Sequence, residues 1–195
     1  MSEREESTMK YTMTIAGLQR DLPLCPIADD LYIAAFICFG DAEISAACAR
    51  ELLKLVPRED YDYIFTAEAK GIPLAHEMAR QSRAEKYFVA RKGPKNYMPD
   101  PISVEDESIT TRGKQKLYLG KDDADMIRGK RILIVDDVIS TGGSLRAMEE
   151  MVKLCGGTVT GRVCVLAEGD AAKRDDIKFL GTIPLFNGKG EPLGE

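Results

Sequence analysis

Hydrophobic positions along most of the chain repeat with the spacing of either a helix or a strand. Residues 41–56 carry apolar side chains every three or four positions, with Asp41 in the N-cap position and Pro57 just past the end, which predicts an amphipathic helix. The same reasoning predicts helices at 72–83 and 144–155 and strands at 61–67, 86–91, 131–137 and 158–167. Because strands and helices alternate, we expect an α/β fold with a mostly parallel central sheet flanked by helices.

The amino-terminal part follows a different pattern. Residues 11–18 alternate between apolar and polar side chains and predict a strand. Residues 21–30 are interrupted by Pro23 and Pro26 and are expected to be irregular. The first residues, 1–10, are polar without periodicity, which predicts a disordered tail.

A long insertion also interrupts the alternation. Residues 93–115 contain three prolines, clustered charge and few apolar side chains, and a short predicted strand follows at 116–120. Irregular insertions of this length in compact domains are usually functional lids or disordered segments, so we expect a mobile loop. The acidic run at 121–125 lacks the glycine and distal glutamate of a calcium loop and predicts a short capped turn.

Composition narrows the class of protein. The chain has 195 residues, of which 44% are hydrophobic and 30% charged, as expected for one globular domain. Its net charge of −5 argues against nucleic acid and anionic membranes as partners. The longest apolar run, 31–39, is short for a bilayer span, and the first ten residues lack a signal-peptide layout, so we expect a cytoplasmic protein. The five cysteines show no C-x-x-C spacing and are interpreted as reduced core residues.

Candidate chemistry is concentrated in the stretch RILIVDDVISTGGSL, residues 131–145. Its continuous apolar run predicts a strand that is buried on both faces and ends at Asp136 and Asp137, where ligands of parallel sheets bind. Residues 140–144, which follow after two further positions, form what we call the phosphate loop, because their backbone amides, hydroxyls and helix start suit a phosphate. The loop consists of Ser140, Thr141, Gly142, Gly143 and Ser144.

The two carboxylates, which we call the acidic pair, would repel a bare phosphate. They therefore predict a ligand that also presents hydroxyl groups or a metal ion, and a ribose phosphate meets both demands. The structural alternative is that Asp136 caps a turn and the glycine pair relieves strain.

Three motifs resemble the type I phosphoribosyltransferases, in particular their purine branch, from about residue 60 to the end. VDDVISTGGS is similar to their motif for binding phosphoribosyl pyrophosphate (PRPP), and TAEAKGIPLA, residues 66–75, is similar to their pyrophosphate loop. RKGPK, residues 91–95, resembles the start of their mobile catalytic loop. The resemblance implies a Mg²⁺-dependent transfer in which a ring nitrogen of a purine base displaces pyrophosphate from C1 of PRPP.

The resemblance also implies a role for each matching residue. Asp136 and Asp137 would hold the ribose hydroxyls or the cation, directly or through PRPP, and the phosphate loop would hold the 5-phosphate. The diphosphate would contact the turn formed by Glu68, Ala69, Lys70 and Gly71, which we call the diphosphate turn, with a cis peptide bond expected between Ala69 and Lys70. Three basic residues would close over it, namely Arg91, Lys92 and Lys95.

The mobile loop departs from the pattern of the adenine enzymes. Those enzymes carry a glutamate shortly before a glycine, but alignment through Gly113 places Thr111 and Arg112 there. Glu105 and Glu107 lie nearby, and either is a candidate for handling the base proton. The alternative for each is a solvated loop carboxylate.

The resemblance also implies that the base binds in a small hood, formed here by residues 11–40 with the C-terminal segment, and that residues 41–195 form the catalytic core. Leu24, Pro26 and Ile27 are the candidates for packing on the base. Around Glu168 the sequence has neither the lysine of xanthine enzymes nor the bulky apolar residue of adenine enzymes. The identity of the base is therefore open, with adenine leading and xanthine or another nucleobase as alternatives.

A second class of function is a regulator of the purine-operon type, which binds PRPP as an effector. Such regulators carry a DNA-binding winged helix before this domain, and the residues before the hood show no helix-turn-helix pattern and no basic stripe. We therefore expect an enzyme of purine salvage whose partners are PRPP and a nucleobase. The resemblance implies a homodimer.

Overall fold

A five-stranded parallel sheet forms the centre of the computed structural model, which describes residues 9–106 and 115–193. The strand order is β10-β9-β8-β4-β5, and every neighbouring pair is parallel. The strands are β4 (Tyr63–Ala67), β5 (Tyr87–Ala90), β8 (Arg131–Ile139), β9 (Thr158–Glu168) and β10 (Lys178–Ile183). The predicted α/β fold with a parallel central sheet is confirmed.

In the described part of the chain, four helices accompany the sheet, namely α1 (Ala42–Leu53), α2 (Gly71–Ser82), α3 (Lys121–Ile127) and α4 (Gly143–Leu154), with short 3-10 helices at Arg58–Asp60 and Gly169–Lys173. The predicted cap of α1 is confirmed, since the Asp41 side chain accepts a hydrogen bond from the Ile44 N–H. The acidic run at 121–125 belongs to α3 rather than to a turn. Within the described residues, no helix is both long and apolar enough to cross a bilayer.

The centre of β8 is buried on both faces of the sheet, as its continuous apolar sequence predicts. Leu133 and Val135 pack in one hydrophobic cluster with residues of α1 and α2. Ile132 and Ile134 pack in the opposite cluster with residues of α4. The prediction of where β8 ends was wrong, because the strand continues past the acidic pair to Ile139.

An antiparallel sheet, which we call the hood sheet, combines both ends of the described chain. Its order is β1-β2-β3-β11-β12, with β1 (Lys10–Ile15), β2 (Leu18–Ala28), β3 (Leu31–Ala34), β11 (Leu185–Phe186) and β12 (Pro192–Leu193). Of the tail predicted at 1–10, only Met9 and Lys10 are described, and Lys10 begins β1.

The expectation that residues 21–30 are irregular was wrong, because β2 runs through both prolines. Pro23 occupies the last pair of the β1–β2 ladder, opposite Lys10. Pro26 lies beyond that ladder, where β2 pairs only with β3. A proline is tolerated in a strand where its missing N–H has no partner to bond, and the outer part of β2 is such an edge.

The insertion at 93–115 is also more regular than its sequence suggests. Residues Ile102–Asp106 form β6, which pairs antiparallel with β7 (Gln115–Leu119). Val104, Leu117 and Leu119 are buried in the same cluster as α4. Prolines and charges surround the two apolar residues of β6, which explains why the pattern did not indicate a strand.

The connection between β4 and α2 depends on close packing at Gly71. A Cβ added there would overlap Oγ1 of Thr66, a buried hydroxyl that has no hydrogen-bond partner among the residues that the structure describes. Gly71→Ala should therefore lower the free energy of unfolding by about 1–3 kcal/mol, measured by urea titration. Thr66→Ala in the same chain should restore part of that loss, because it removes the overlapping oxygen.

Gly93→Ala is the matched control, since an added Cβ there meets no atom of the described residues within 4 Å. A Gly71→Ala variant within about 0.5 kcal/mol of the control would contradict this packing.

Candidate active site

A cavity of about 500 Å³ lies between the carboxyl edge of the parallel sheet and the hood sheet. The phosphate loop, the acidic pair and three residues of the diphosphate turn all line it, although they come from separate parts of the chain. Its other lining residues are Ile27, Leu31, Ile33, Ala34, Ala35, Phe36, Ala67, Lys92, Val138, Ile139, Leu145, Glu168 and Leu185. The fold therefore brings most of the predicted site residues together at the edge where ligands of parallel sheets bind.

The phosphate loop connects β8 to α4 in a way that requires glycine at position 142. Gly142 has a φ of 77°, and a Cβ added there would lie 2.6 Å from Nη1 of Arg174. As the N-cap residue of α4 it has no side chain to bond the first N–H groups of the helix. The N–H groups at the start of a helix, together with the helix dipole, form a binding site for an anion. Arg146 donates a hydrogen bond to the Thr141 carbonyl at 3.1 Å and so braces the loop.

The acidic pair is held in a poorly solvated environment. Asp137 is only 6% exposed, and its Oδ2 lies 3.1 Å from Nζ of Lys70 without an aligned hydrogen bond. Oδ1 of Asp136 accepts the backbone N–H of Asp137 at 3.0 Å. Burial, followed by the charge of Asp137, raises the pKa of Asp136 well above its usual value. Two adjacent carboxylates are costly to bury beside one lysine, so the site favours ligands that bring hydroxyl donors or a cation.

The diphosphate turn joins β4 to α2 at the same edge. It contains a cis peptide bond between Glu68 and Ala69, one bond before the expected position between Ala69 and Lys70. The Lys70 carbonyl accepts a hydrogen bond from the buried thiol of Cys38 at 2.9 Å. Burial raises the pKa of that thiol to about 11, which keeps it protonated as a donor. The turn is thus tied to the segment before α1, while the half-exposed Lys70 ammonium faces Asp137.

Glu68 connects the diphosphate turn to the basic segment after β5. Its Oε2 accepts hydrogen bonds from the Lys92 backbone N–H at 2.9 Å and from Nε of Arg91 at 3.1 Å. Burial would raise the pKa of Glu68, but these donors outweigh it and the pKa is lowered. Arg91 also donates to the Tyr97 hydroxyl at 2.8 Å. Glu68 therefore places Lys92 at the cavity, and its carboxylate is already bonded to protein donors.

The other predicted residues are distributed unevenly around the cavity. Of the basic group, Lys92 lines it, whereas Arg91 and Lys95 do not. Glu105 is exposed in β6 and does not line the cavity, and Glu107 lies outside the described residues. Thr111, Arg112 and Gly113 lie outside them as well.

The three candidates for base contact also differ in position. Ile27 lines the cavity. Leu24 is 5% exposed and packs in the hydrophobic core, and Pro26 is exposed away from the cavity. Alternating side chains of one strand point to opposite faces, so the three could not all face the cavity. The apolar lining from β3 and β11 was missed, because no motif in these two short segments indicates contact with a ligand.

Sequence reasoning also left Glu168 out of the site. This residue ends β9, lines the cavity and is only 7% exposed. Burial raises its pKa, although a hydrogen bond with the Ser140 side chain acts in the opposite direction. An acidic residue directly after the apolar run VCVLA, at the carboxyl end of a predicted parallel strand, was the signal available in the sequence.

Comparison with known proteins identifies the family of the chain. Residues 42–192 match the family model for the phosphoribosyl transferase domain. The chain is 35% identical to the hypoxanthine/guanine phosphoribosyltransferase of Methanothermococcus okinawensis, over 94% of this chain and 96% of the relative. It is 30% identical to the adenine phosphoribosyltransferase of Kosmotoga olearia, over 79% of this chain and 87% of the relative. The chain belongs to the phosphoribosyltransferase family, whose members are PRPP-dependent glycosyltransferases. Within the type I members it falls in the purine branch.

Solved structures show the same fold. The adenine phosphoribosyltransferase of Thermoanaerobacter pseudethanolicus aligns with a TM-score of 0.62 at 23% identity, covering 89% of this chain and 95% of that chain. The enzyme of the same name from Rhodothermus marinus aligns with a TM-score of 0.60 at 20% identity, covering 89% and 93%. At these identities the likeness concerns the fold, and it confirms the expected type I architecture.

The buried carboxylate of Glu168 should make stability depend on pH. Because its pKa is raised, ionisation of Glu168 costs more free energy in the folded chain than in the unfolded chain. The free energy of unfolding of the wild type therefore falls as pH rises from the ordinary pKa of a glutamate through the raised pKa. Glu168→Gln cannot ionise. We expect the free energy of unfolding of this variant, minus that of the wild type, to increase between about pH 4 and about pH 7 in urea titrations.

Glu150→Gln, at an exposed position of α4, should show no such trend. A difference that stays flat or decreases for Glu168→Gln would contradict the raised pKa.

Proposed function

We propose that the chain transfers the 5-phosphoribosyl group of PRPP to a purine base with release of pyrophosphate, and that adenine is the base. The observation that carries this proposal is the convergence of the phosphate loop, the acidic pair and the diphosphate turn on one cavity of about 500 Å³. The phosphate loop provides an anion site, and the acidic pair provides acceptors for hydrogen bonds from hydroxyl groups. The diphosphate turn provides a second anion site with a lysine. PRPP presents a phosphate, ribose hydroxyls and a diphosphate, so each segment has one matching group.

In this proposal the protein acts by positioning and by stabilising the leaving group. The amino end of α4 binds the 5-phosphate, and Asp136 and Asp137 accept hydrogen bonds from the ribose hydroxyls. Lys70 and Lys92 place positive charge where the diphosphate leaves. The hood sheet covers the cavity and limits the access of water to C1, which protects the reaction from hydrolysis.

The resemblance implies Mg²⁺, and the residues present fit such an ion when it is held mainly by the substrate. Within residues 9–106 and 115–193 no group of three or more His, Cys, Asp or Glu side chains could hold a metal. Asp136 and Asp137 would therefore supply at most two carboxylates, and oxygens of PRPP and water would complete the shell that Mg²⁺ prefers. When bound, the ion would neutralise charge on the diphosphate.

The lining of the hood side supports adenine. The lining residues that come from β2, β3, β11 and the segment after β3 are Ile27, Leu31, Ile33, Ala34, Ala35, Phe36 and Leu185, all of them apolar. They provide an apolar surface for a purine ring but no side-chain donor for a 6-oxo group. Hypoxanthine or guanine is the second candidate, because the relative at 35% identity carries that name.

We propose further that the protein works in the cytoplasm as a homodimer, which the resemblance implies. Five free cysteines, four of them buried, are compatible with a reducing compartment. Thr111 and Arg112 occupy the family position for the base proton, so we propose that a glutamate elsewhere in the loop, Glu105 or Glu107, handles this proton.

The function is tested by measuring pyrophosphate release from PRPP and Mg²⁺ with adenine, hypoxanthine, guanine, xanthine, uracil and orotate offered separately. We expect turnover with adenine at least about ten-fold above that with the other bases. Turnover with hypoxanthine or guanine alone would replace adenine by the second candidate. Calorimetric binding of PRPP without turnover on any base would instead favour a PRPP-sensing regulator.

The acidic pair provides a second test. Replacing Asp136 and Asp137 by Asn should lower PRPP-dependent turnover by about 100-fold or more, because the neutral amides lose the charged acceptors for the ribose. The melting temperature should stay near that of the wild type, since the variant is isosteric and removes buried charge. Asp122→Asn, at an exposed position of α3, is the matched control and should leave turnover unchanged. Unchanged turnover in the double variant would contradict the assigned role.

A further inference from the structure

Glu168 is a buried carboxylate of the cavity for which the roles given so far have no use. By exposed surface, Asp137 and Glu168 are the only buried charged residues of the described chain, while Asp136 beside them is partly exposed. Asp137 has the Lys70 ammonium 3.1 Å away. Glu168 forms no ion pair among the described residues, and its neighbouring donor is the neutral hydroxyl of Ser140. A buried carboxylate with one neutral donor has acceptor positions left to fill.

The surroundings of Glu168 place it at the junction of the phosphate loop and the hood sheet. Ser140, its hydrogen-bond partner, is the first residue of the phosphate loop. On the other side, an added Cβ at the neighbouring Gly169 would lie 3.9 Å from Leu185 of β11, which lines the apolar part of the cavity. Glu168 itself lines the same cavity. Glu168 therefore lies next to the apolar lining of the hood side, which packs on the base in the proposed function.

The chemistry of a carboxylate limits what it can bind there. An ionised carboxylate only accepts hydrogen bonds, so it would repel a phosphate or a 6-oxo group. A metal ion would need further ligands, and no such cluster exists within the described residues. An amino group on a purine ring remains, because it donates hydrogen bonds and lies in the plane of a ring that the apolar residues can pack against.

We propose that Glu168 is a specificity-determining residue that accepts a hydrogen bond from the exocyclic amino group of the purine base. This inference rests on the proposed function and specifies which bases the site accepts. A site built to pair with such a donor discriminates strongly against analogues that lack it, because the buried acceptor is then left unpaired. Aminopurines should therefore be favoured over the same ring without the amino group.

The test separates the Michaelis constant (KM) for the base from the KM for PRPP in three variants. Glu168→Leu keeps the approximate size but removes the acceptor, and we expect the KM for adenine to rise at least about ten-fold with the KM for PRPP within about two-fold. Glu168→Gln retains an acceptor oxygen and should lie between wild type and Glu168→Leu. Ser140→Ala removes the hydroxyl partner and should raise the KM for PRPP instead.

A second readout compares adenine with purine, which lacks the amino group. The preference of the wild type for adenine in kcat/KM should collapse to within about three-fold in Glu168→Leu. If Glu168→Leu proves unstable, the same ratio measured in Glu168→Gln carries the test and should fall well below that of the wild type. For a wild type that uses guanine, the corresponding pair is guanine and hypoxanthine.

Several outcomes would overturn the inference. A rise in the KM for PRPP alone in Glu168→Leu, matching Ser140→Ala, would mean that Glu168 acts only by holding the phosphate loop. A wild type that uses only bases without an amino group, or an unchanged adenine preference in both variants, would exclude the contact. Absence of turnover by the wild type with every base would remove the proposed function itself, and with it this inference.

Discussion

The burial of carboxylates at the carboxyl edge of the parallel sheet is the constraint on which the rest of the site depends. Strand β9 ends at Glu168, and the neighbouring strand β8 carries Asp136 and Asp137 close to its end. Burying an ionised carboxylate there costs free energy unless hydrogen-bond donors or cations face it. The diphosphate turn provides Lys70 and the phosphate loop provides the Ser140 hydroxyl. The protein thus satisfies part of this demand and leaves the remainder to a ligand.

The charge of the cavity follows from the same arrangement. Its lining includes four carboxylates, from Glu68, Asp136, Asp137 and Glu168, but two lysines, Lys70 and Lys92. A polyanion such as PRPP would not enter a site of this charge on electrostatics alone. Glu68 is already bonded to Arg91 and Lys92, and the acidic pair suits hydroxyls or a cation. A cation that accompanies the substrate would therefore complete the balance, which agrees with the Mg²⁺ dependence that the resemblance implies.

The sequence was sufficient to predict the parts of the fold that local patterns determine. Continuous apolar β8, capped α1 and the glycine-rich loop before α4 each follow from short stretches of sequence, and all three were found. Strand β2 was missed because its prolines are tolerated only where they lie at the end of a ladder, as Pro23 does, or where β2 has a partner on one side alone, as at Pro26. These positions depend on how the partner strands pair, which no local pattern shows. Strand β6 was missed for the same reason, since its partner β7 provides the pairing.

The candidate site shows the same limit. The motifs indicated the phosphate loop and the acidic pair, but no local pattern shows that Glu168 of β9 contacts Ser140 after β8. Likewise, the hood contributes Leu31, Phe36 and Leu185 rather than Leu24, because sheet pairing decides which face of each strand meets the cavity. Contacts between strands, rather than motifs, determine the part of the site that selects the base.

The central claim is that this edge of the sheet binds a ribose phosphate with its phosphate at the amino end of α4. A crystal structure of the protein with adenosine monophosphate tests it most directly. The account predicts phosphate oxygens within hydrogen-bond distance of backbone N–H groups of residues 140–144 and ribose hydroxyls on Asp136 and Asp137. A nucleotide whose phosphate lies elsewhere, or whose ribose does not contact the acidic pair, would contradict it.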